Sequence, residues 1–379
     1  MTKKQGACGI VCEWNPLHAG HIRLIERAKT EYSAVVAAMS GPFVQRGLPA
    51  VTDKWTRAAQ AISHGVDLVL EVPQGFVLQS ADRYAAGAIQ VLAAVPAVCA
   101  IAFGVEETAL REAPFSENAT FEKDLVHRLK QGLSYRRAFS LASGRNWLPN
   151  QILAKQYEKA LKEQNLSWEI LKVARPSTSP TATQLRHALR SLREESIAAK
   201  TDANSDQLLQ HPALKDLADP AIVLSHPLGG SVEKLFSYVQ ARTILDPLDF
   251  SCSPHYEAGM EYRLEAALQQ ADSLEGAINA ASNKRQSKSR YRRLLLTTLL
   301  GIQKTDIAPL SYVRPLAFNR TGAALLRDVI LPIYQKTPGR LRPGAYDPLF
   351  LTDQKAQRLY EWLYNLENLD LTQSFYHKR

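Results

Sequence analysis

The sequence predicts an α/β protein, with an N-terminal domain on a doubly wound parallel sheet and a C-terminal, mostly helical domain. Three observations predict it. Apolar runs alternate with helical patterns through the first half of the chain, the signature of successive βα units. The alternation stops near residue 195, and only helical patterns return after residue 220. Finally, the first apolar run ends in the turn Trp14-Asn15-Pro16-Leu17-His18-Ala19-Gly20-His21, which leads straight into a helix.

The elements follow in order. Strands are expected at 6–12, 34–39, 67–72, 98–103 and 168–174, as short, nearly continuous apolar runs. Such runs suit strands buried on both faces. Helices are expected at 19–30, 54–64, 81–93, 120–130, 134–142, 148–163 and 182–194. There the apolar residues recur three and four apart. Asp53 is placed to cap the second helix, and Pro149 sits in the first turn of 148–163. The polar, turn-rich stretch 195–220 reads as a surface excursion at a domain boundary. Helical patterns then cover 231–245, 256–270, 273–282, 290–301, 321–330 and 353–366. We therefore expect one domain over 1–195 and a second over 196–379, with no internal repeat.

Composition narrows the function classes. With 379 residues, 45% hydrophobic and 22% charged, the chain can bury ordinary cores. No apolar run reaches membrane-spanning length, and Met-Thr-Lys-Lys-Gln leads directly into a strand without a signal-peptide pattern. A cytoplasmic protein without membrane contact is expected. Cys8, Cys12, Cys99 and Cys252 show no Cys-x-x-Cys spacing and read as buried, reduced thiols. The formal net charge of +9 favours an anionic partner, nucleic acid first.

The turn after the first strand carries the chemistry. Gly20 lets the backbone approach closely, and the helix behind it presents free N–H groups and its positive end to an anion. His18 and His21 can contact phosphate oxygens as charge develops on phosphorus. Two histidines three apart with no third ligand nearby do not make a metal site. After the second strand, the loop 41–57 offers Gln45, Arg46, Lys54 and Arg57 for a polyanion or small-carboxylate pocket. Solvated surface charge is the alternative for its basic residues. Gly104, at the end of the fourth strand, reads by itself as an ordinary strand-to-helix turn. Asn150 offers a donor and an acceptor at a helix start. Thr181 and Thr183, followed by Arg186, form a second anion-binding pattern, with simple capping as the alternative. Far downstream, Lys284, Arg285, Lys288, Arg290, Arg292 and Arg293 surround Tyr291. Such a cluster can neutralise phosphates while the ring stacks on a base; a solvated helix start is the alternative.

Together these residues resemble one family, the bacterial tRNA(Met) cytidine acetate ligases. The family's Glu-Tyr-Asn-Pro-Phe-His-Asn-Gly-His is similar to residues 13–21, with Leu17 and Ala19 as departures. Its Phe-Val-Gln-Arg-Gly-x-Pro-Ala and Asp-Lys-Trp-x-Arg-Ala are matched at 43–50 and 53–58. Its Phe-Gly-x-Glu, Asn-x-Ile-Leu and Ser-Ala-Thr-x-Ile-Arg resemble 103–106, 150–153 and 181–186. Its Lys-x-Arg-Tyr-x-Arg-Leu-Leu and Tyr-x-Arg-x-Leu-x-Phe-Asn resemble 288–295 and 312–319. The segment Pro176–Pro180 is shorter than the family's.

The resemblance implies a Rossmann-like, HIGH-type nucleotidyltransferase domain followed by a helical tRNA-binding domain. It implies that ATP and acetate give acetyl-adenylate, and that the acetyl group passes to N4 of cytidine 34, the wobble base of elongator tRNA(Met). It places ATP on Val11, Cys12, Glu13, Trp14, Asn15, Pro16, Leu17, His18, Ala19, Gly20, His21, Ile22, Arg23 and Leu24, and on Gly104, Asn150 and Arg175. Mg²⁺ is expected as the ATP complex, with no protein-bound transition metal. An adenylyltransferase acting on a small coenzyme precursor would also fit the first half. A non-catalytic RNA-binding protein with a retained nucleotide fold is the other alternative.

Overall fold

Short, β-rich segments with both faces apolar build the centre of the protein. The computed structural model describes residues 2–106, 118–131, 133, 135–175, 180–198, 211–225, 231–304, 309–335, 347–367, 369–372 and 376–378. Its strands are β1 (Lys4–Cys12), β2 (Tyr32–Ser40), β3 (Phe43–Val44), β4 (Leu48–Pro49), β5 (Leu68–Val72), β6 (Val98–Glu106), β7 (Glu169–Arg175), β8 (Pro315–Asn319) and β9 (Tyr376–Lys378). The helices of the first half are α1 (Ala19–Glu31), α2 (Lys54–Ser63), α3 (Gln74–Val77), α4 (Ala81–Ala93), α5 (Ala119–Lys130), α6 (Tyr135–Ser143), α7 (Pro149–Glu163) and α8 (Ala182–Ala198). Those that follow are α9 (Pro220–Ser225), α10 (Ser231–Leu245), α11 (Met260–Gln270), α12 (Leu274–Ala281), α13 (Lys288–Leu300), α14 (Arg320–Leu326), α15 (Pro348–Tyr364) and α16 (Leu369–Thr372).

The main sheet runs β7-β6-β1-β2-β5-β8-β9. β1 pairs in parallel with β2 and β6, β2 with β5, and β6 with β7. The chain moves outward from β1 through β2 and β5, then returns to β6 and β7 on the other side. Strand order therefore reverses at β1, and the crevice beyond the carboxyl ends of β1 and β6 is the expected ligand site. Alternate residues of β2 explain the two-sided burial. Val35, Ala37 and Met39 pack with Ile25 of α1 and Ala58 of α2. Ala34, Val36 and Ala38 pack with Ala88 of α4 and Tyr157 of α7.

The second half is mostly helical but does not stand apart. β8 pairs antiparallel with β5, and β9 parallel with β8, so both extend the sheet of the first half. No strand is expected from the sequence after residue 196, so β8 and β9 are corrections to it. At five residues, Pro315–Asn319 is too short for periodicity to separate a strand from a buried helix segment. The helices α11 to α13 and α15 enclose their own core, and Phe43, Val44 and Ala50 of the first half insert into it. Tyr360 and Tyr364 both donate hydroxyl hydrogen bonds to the Ala50 carbonyl, at 3.1 and 2.8 Å. At the tip of the β3–β4 hairpin, Gly47 has φ +71°, and a Cβ there would lie 2.9 Å from the backbone of Arg292 and Arg293. Only glycine permits that approach.

A buried ionic network joins the two halves. Lys54 Nζ lies 3.0 Å from both Glu71 oxygens and 3.2 Å from Asp370 Oδ1. Arg314 reaches Asp370 at 2.8 Å and Glu71 at 3.3 Å. Trp55 Nε1 donates to Asp370 Oδ1 at 3.1 Å. The two cations balance the two carboxylates, and none of the four groups is more than 4% exposed. Lys54 and Arg314 hold the Asp370 carboxyl down at about 2 against its burial. The cysteines divide: Cys8 and Cys12 are buried as expected, whereas Cys99 and Cys252 are exposed.

Removing one member of this network strands the others in a dry interior. Asp370→Ala is expected to cost about 3–5 kcal/mol of unfolding free energy, read from the urea midpoint. A loss below about 1 kcal/mol, the range of an exposed pair, would show that the network does not anchor the second half.

Candidate active site

The site starts where β1 ends. His18 takes the N-cap of α1 with extended backbone, and its Nδ1 accepts from the Gly20 N–H at 3.1 Å. Gly20 is needed for this, because a Cβ there would lie 3.0 Å from the His18 ring. With Nδ1 accepting, the neutral ring carries its proton on Nε2. That Nε2–H is buried without an acceptor, as is Nδ1 of His21. The two rings lie against each other, tilted by 31°, with centroids 3.8 Å apart. Two buried, unpartnered ring nitrogens side by side make a site for oxygen atoms.

The free N–H groups expected at the start of α1 are already used. Ala19 N donates to the Asp216 carbonyl at 2.8 Å, and Gly20 N to the His18 ring. His21 and Ile22 donate to the His18 carbonyl at 2.8 and 3.1 Å. The segment around Asp216 also takes the Leu17 carbonyl through Ala218 N, at 3.1 Å. It leaves His18 only 1% exposed. The turn therefore offers imidazole donors and the helix dipole to an anion rather than open backbone amides.

Beyond the turn opens a cavity of about 940 Å³. Val11, Cys12, Glu13, Trp14, Asn15, Gly20, His21 and Leu24 line it from β1 and α1. Pro16, Leu17, His18, Ala19, Ile22 and Arg23 lie off its wall. Gly104 and Arg175 line it from β6 and β7. They are coupled: a Cβ at Gly104 would sit 3.0 Å from Arg175 Cδ, so the bare glycine makes room for the arginine stem. Arg186 also reaches the wall, with Nη1 donating to the Asn15 carbonyl at 2.7 Å. Burial, and then the Arg175 charge, push the His18 ring down to about 4. His21 lies well below the usual imidazole range, through burial and then His18 and Arg175.

Other expected residues sit elsewhere. Lys54 belongs to the buried network. Arg57 is fully buried, with its guanidinium on the carbonyls of Thr52, Glu13, Ser40 and Gly41. Neither is on the cavity wall; both brace the loop that Gln45 and Arg46 present to it. Thr181 closes a capping box with Gln184, and Thr183 receives Arg186 Nη2 at 3.0 Å; both are exposed and off the wall. Asn150 opens α7; its side chain lies outside the described residues, as do 176–179.

The basic run behaves in two ways. Lys284 and Lys288 are exposed, while Arg285 and Arg290 pair with Glu257, and Arg292 with Glu275. Tyr291 is fully buried, its hydroxyl on Gln286 Oε1 at 3.2 Å, so it cannot stack on a base as expected. Its ring falls on the core face of α13, which i,i+3 spacing from Leu294 would have shown. Ser287, Ser289 and Arg293 reach the cavity from α13. Asp82, Tyr84 and Tyr157, not expected from the sequence, also line it. They carry no local motif, and only the fold brings α4 and α7 to the crevice.

A family model described as HIGH Nucleotidyl Transferase matches residues 6–374. The tRNA(Met) cytidine acetate ligase of Anoxybacillus flavithermus is 31% identical over 391 residues, covering 93% of this chain and 94% of that one. The protein of the same name from Limosilactobacillus reuteri is 30% identical over 378 residues, covering 94% and 95%. Among solved structures, Thermotoga maritima TmcAL bound with alpha-thio ATP superposes with a TM-score of 0.78 at 24% identity, covering 98% of this chain and 100% of that one.

The lowered imidazole values have a testable sign. Between pH 6.5 and about 4 the unfolded chain binds protons at His18 that the folded chain refuses, so stability falls as pH falls through that window. Imidazole ¹⁵N spectra of the ligand-free protein should show His18 and His21 neutral down to pH 5.5. An apparent value near 6.5 for His18 would contradict the buried geometry.

Proposed function

The chain belongs to the HIGH nucleotidyl transferase family and groups with the tRNA(Met) cytidine acetate ligases; on that premise we propose that it activates acetate with ATP and acetylates N4 of the wobble cytidine of elongator tRNA(Met). One observation carries this reading beyond plain nucleotidyl transfer. The cavity that starts at the His18–His21 turn is also walled by Ser287, Ser289 and Arg293, from the basic run of the second half. A coenzyme-precursor adenylyltransferase would have no use for that wall. At about 940 Å³ the cavity is at the top of the small-molecule range, with room for a nucleotide and a second reactant.

The chemistry suits these residues. Acetate is ionised at pH 7, so the first step needs no general base. Its carboxylate oxygen attacks the α-phosphorus, the bond to the β-phosphate oxygen breaks, and pyrophosphate leaves. The demand is for alignment and for charge stabilisation on phosphorus. His18 and His21 supply neutral donors there, while Arg175 and Arg186 carry the positive charge for the triphosphate. Mg²⁺, when present, would be held by the triphosphate oxygens and water and would offset their charge. In the second step the cytosine amine attacks the acetyl carbon, AMP leaves, and the amine gives up a proton. The amine's lone pair is delocalised, so it needs the mixed anhydride as donor. The base must swing out of the anticodon loop to reach the cavity. In this reading residues 1–195 hold the ATP, and 196–379 hold the tRNA and close the cavity with Ser287, Ser289 and Arg293. Lys284 and Lys288, exposed and without ion pairs among the described residues, face its phosphates first.

The test is acetate-dependent exchange of labelled pyrophosphate into ATP. His18→Ala and His21→Ala should each lower kcat about 10²–10³-fold, with tRNA affinity unchanged. Exchange that needs no acetate, or that survives both substitutions, would overturn the reading.

A further inference from the structure

Of the arginines in the basic run, Arg285, Arg290 and Arg292 have carboxylate partners, and Arg293 has none among the described residues. Yet Arg293 is the most enclosed of them, at 9% exposure, and it forms part of the cavity wall. Its Nη1 donates to the Gln45 carbonyl at 3.2 Å. Its Nε–H is buried with no acceptor. A buried cation with an unmet donor is costly unless an anion completes it. We propose that Arg293 is the residue that binds the carboxylate of acetate, a specificity role at the site read in the preceding subsection, on which this inference rests.

Placement selects a small carboxylate over a phosphate of RNA or of ATP. The β3–β4 hairpin covers this stretch of α13: Gly47 sits against the Arg292 and Arg293 backbone, at a contact where even a Cβ would clash. A polynucleotide backbone has no path there. Gln45, which holds Arg293 through its carbonyl, donates its own N–H to Glu13 Oε1 at 2.8 Å. Arg293 is thus tied through one residue to the end of β1, beside the reacting turn. Arg175 comes from the far side of β1, where β6 and β7 lie, whereas the hairpin follows β2 on the near side. Displacement at phosphorus is in line, with nucleophile and leaving group opposite each other. With pyrophosphate leaving towards Arg175, acetate enters from the hairpin side. A guanidinium fork matches a carboxylate through two parallel hydrogen bonds. Burial and the Arg290 charge lower the Arg293 group to about 10, against the carboxylate of Asp82 on the same cavity wall, which is not within ion-pair distance; the group stays charged at neutral pH.

The experiment measures acetate KM, ATP KM and tRNA Kd for the full-length protein, using acetate-dependent pyrophosphate exchange. Arg293→Gln should raise the acetate KM about ten- to a hundredfold, with ATP KM and tRNA Kd unchanged. Arg293→Lys, which keeps the charge without the fork, should recover part of the loss. If the glutamine variant does not fold, the lysine variant decides. A rise in acetate KM of about fivefold or more supports the assignment, and an unchanged value overturns it. Weaker tRNA binding with unchanged acetate KM would make Arg293 an RNA contact, and a raised ATP KM alone a triphosphate contact; both overturn it. No acetate-dependent exchange in the unsubstituted protein overturns the underlying reading and this inference with it. Normal exchange in that protein with unaltered variants overturns this inference alone.

Discussion

The four-membered network of Lys54, Glu71, Arg314 and Asp370 is the constraint on which the arrangement of the site depends. Lys54 and Glu71 come from α2 and β5, Arg314 from the residue before β8, and Asp370 from α16. In a dry interior these charges are tolerable only together. The second half therefore cannot swing away without leaving Lys54 and Glu71 to face each other with Arg314 and Asp370 gone. The same contact sets β8 against β5, and α15 against the loop that carries Ala50. With α15 fixed, α13 packs in its core, and the basic run stands over the crevice. Ser287, Ser289 and Arg293 of that run thereby form one wall of the cavity.

Within that frame, the His turn is built for neutral donors. The His18 ring caps its own helix, which fixes its tautomer and leaves Nε2–H buried without an acceptor among the described residues. Burial and the Arg175 charge keep both rings unprotonated. An imidazolium pair would repel, whereas two neutral rings can lie against each other and still present nitrogen to oxygen. The positive charge on the cavity wall comes instead from arginines, Arg175, Arg186 and Arg293, which stay charged on burial. Arg57 shows the same economy of position in a structural role. Its guanidinium gathers the carbonyls of Glu13, Ser40, Gly41 and Thr52 and so holds the hairpin that presents Gln45 to the cavity.

Much of this was legible in the sequence, for identifiable reasons. The parallel strands read clearly because both faces are buried, so their runs are continuously apolar. The His turn read clearly because a strand, a turn and a helix fall within one short segment. What stayed hidden is non-local. Lys54 and Arg57 look like loop charges, and nothing within ten residues reveals that their partners are Asp370 or the carbonyls of Glu13 and Ser40. Strand β8 is too short to announce itself, and its partner β5 lies far away in the sequence. Tyr291 shows the limit from the other side. A tyrosine among arginines suggests a stacking platform, but its helical phase relative to Leu294 puts it in the core.

The central claim is that one cavity, closed by both halves of the chain, joins acetate activation to acetyl transfer onto RNA. The most direct measurement is incorporation of labelled acetate into a purified elongator tRNA(Met) transcript, with and without ATP, followed by nuclease digestion to locate the label. The account predicts ATP-dependent label on the wobble cytidine. ATP consumption with the label on a small acceptor, or no label on the transcript although it binds, would contradict it.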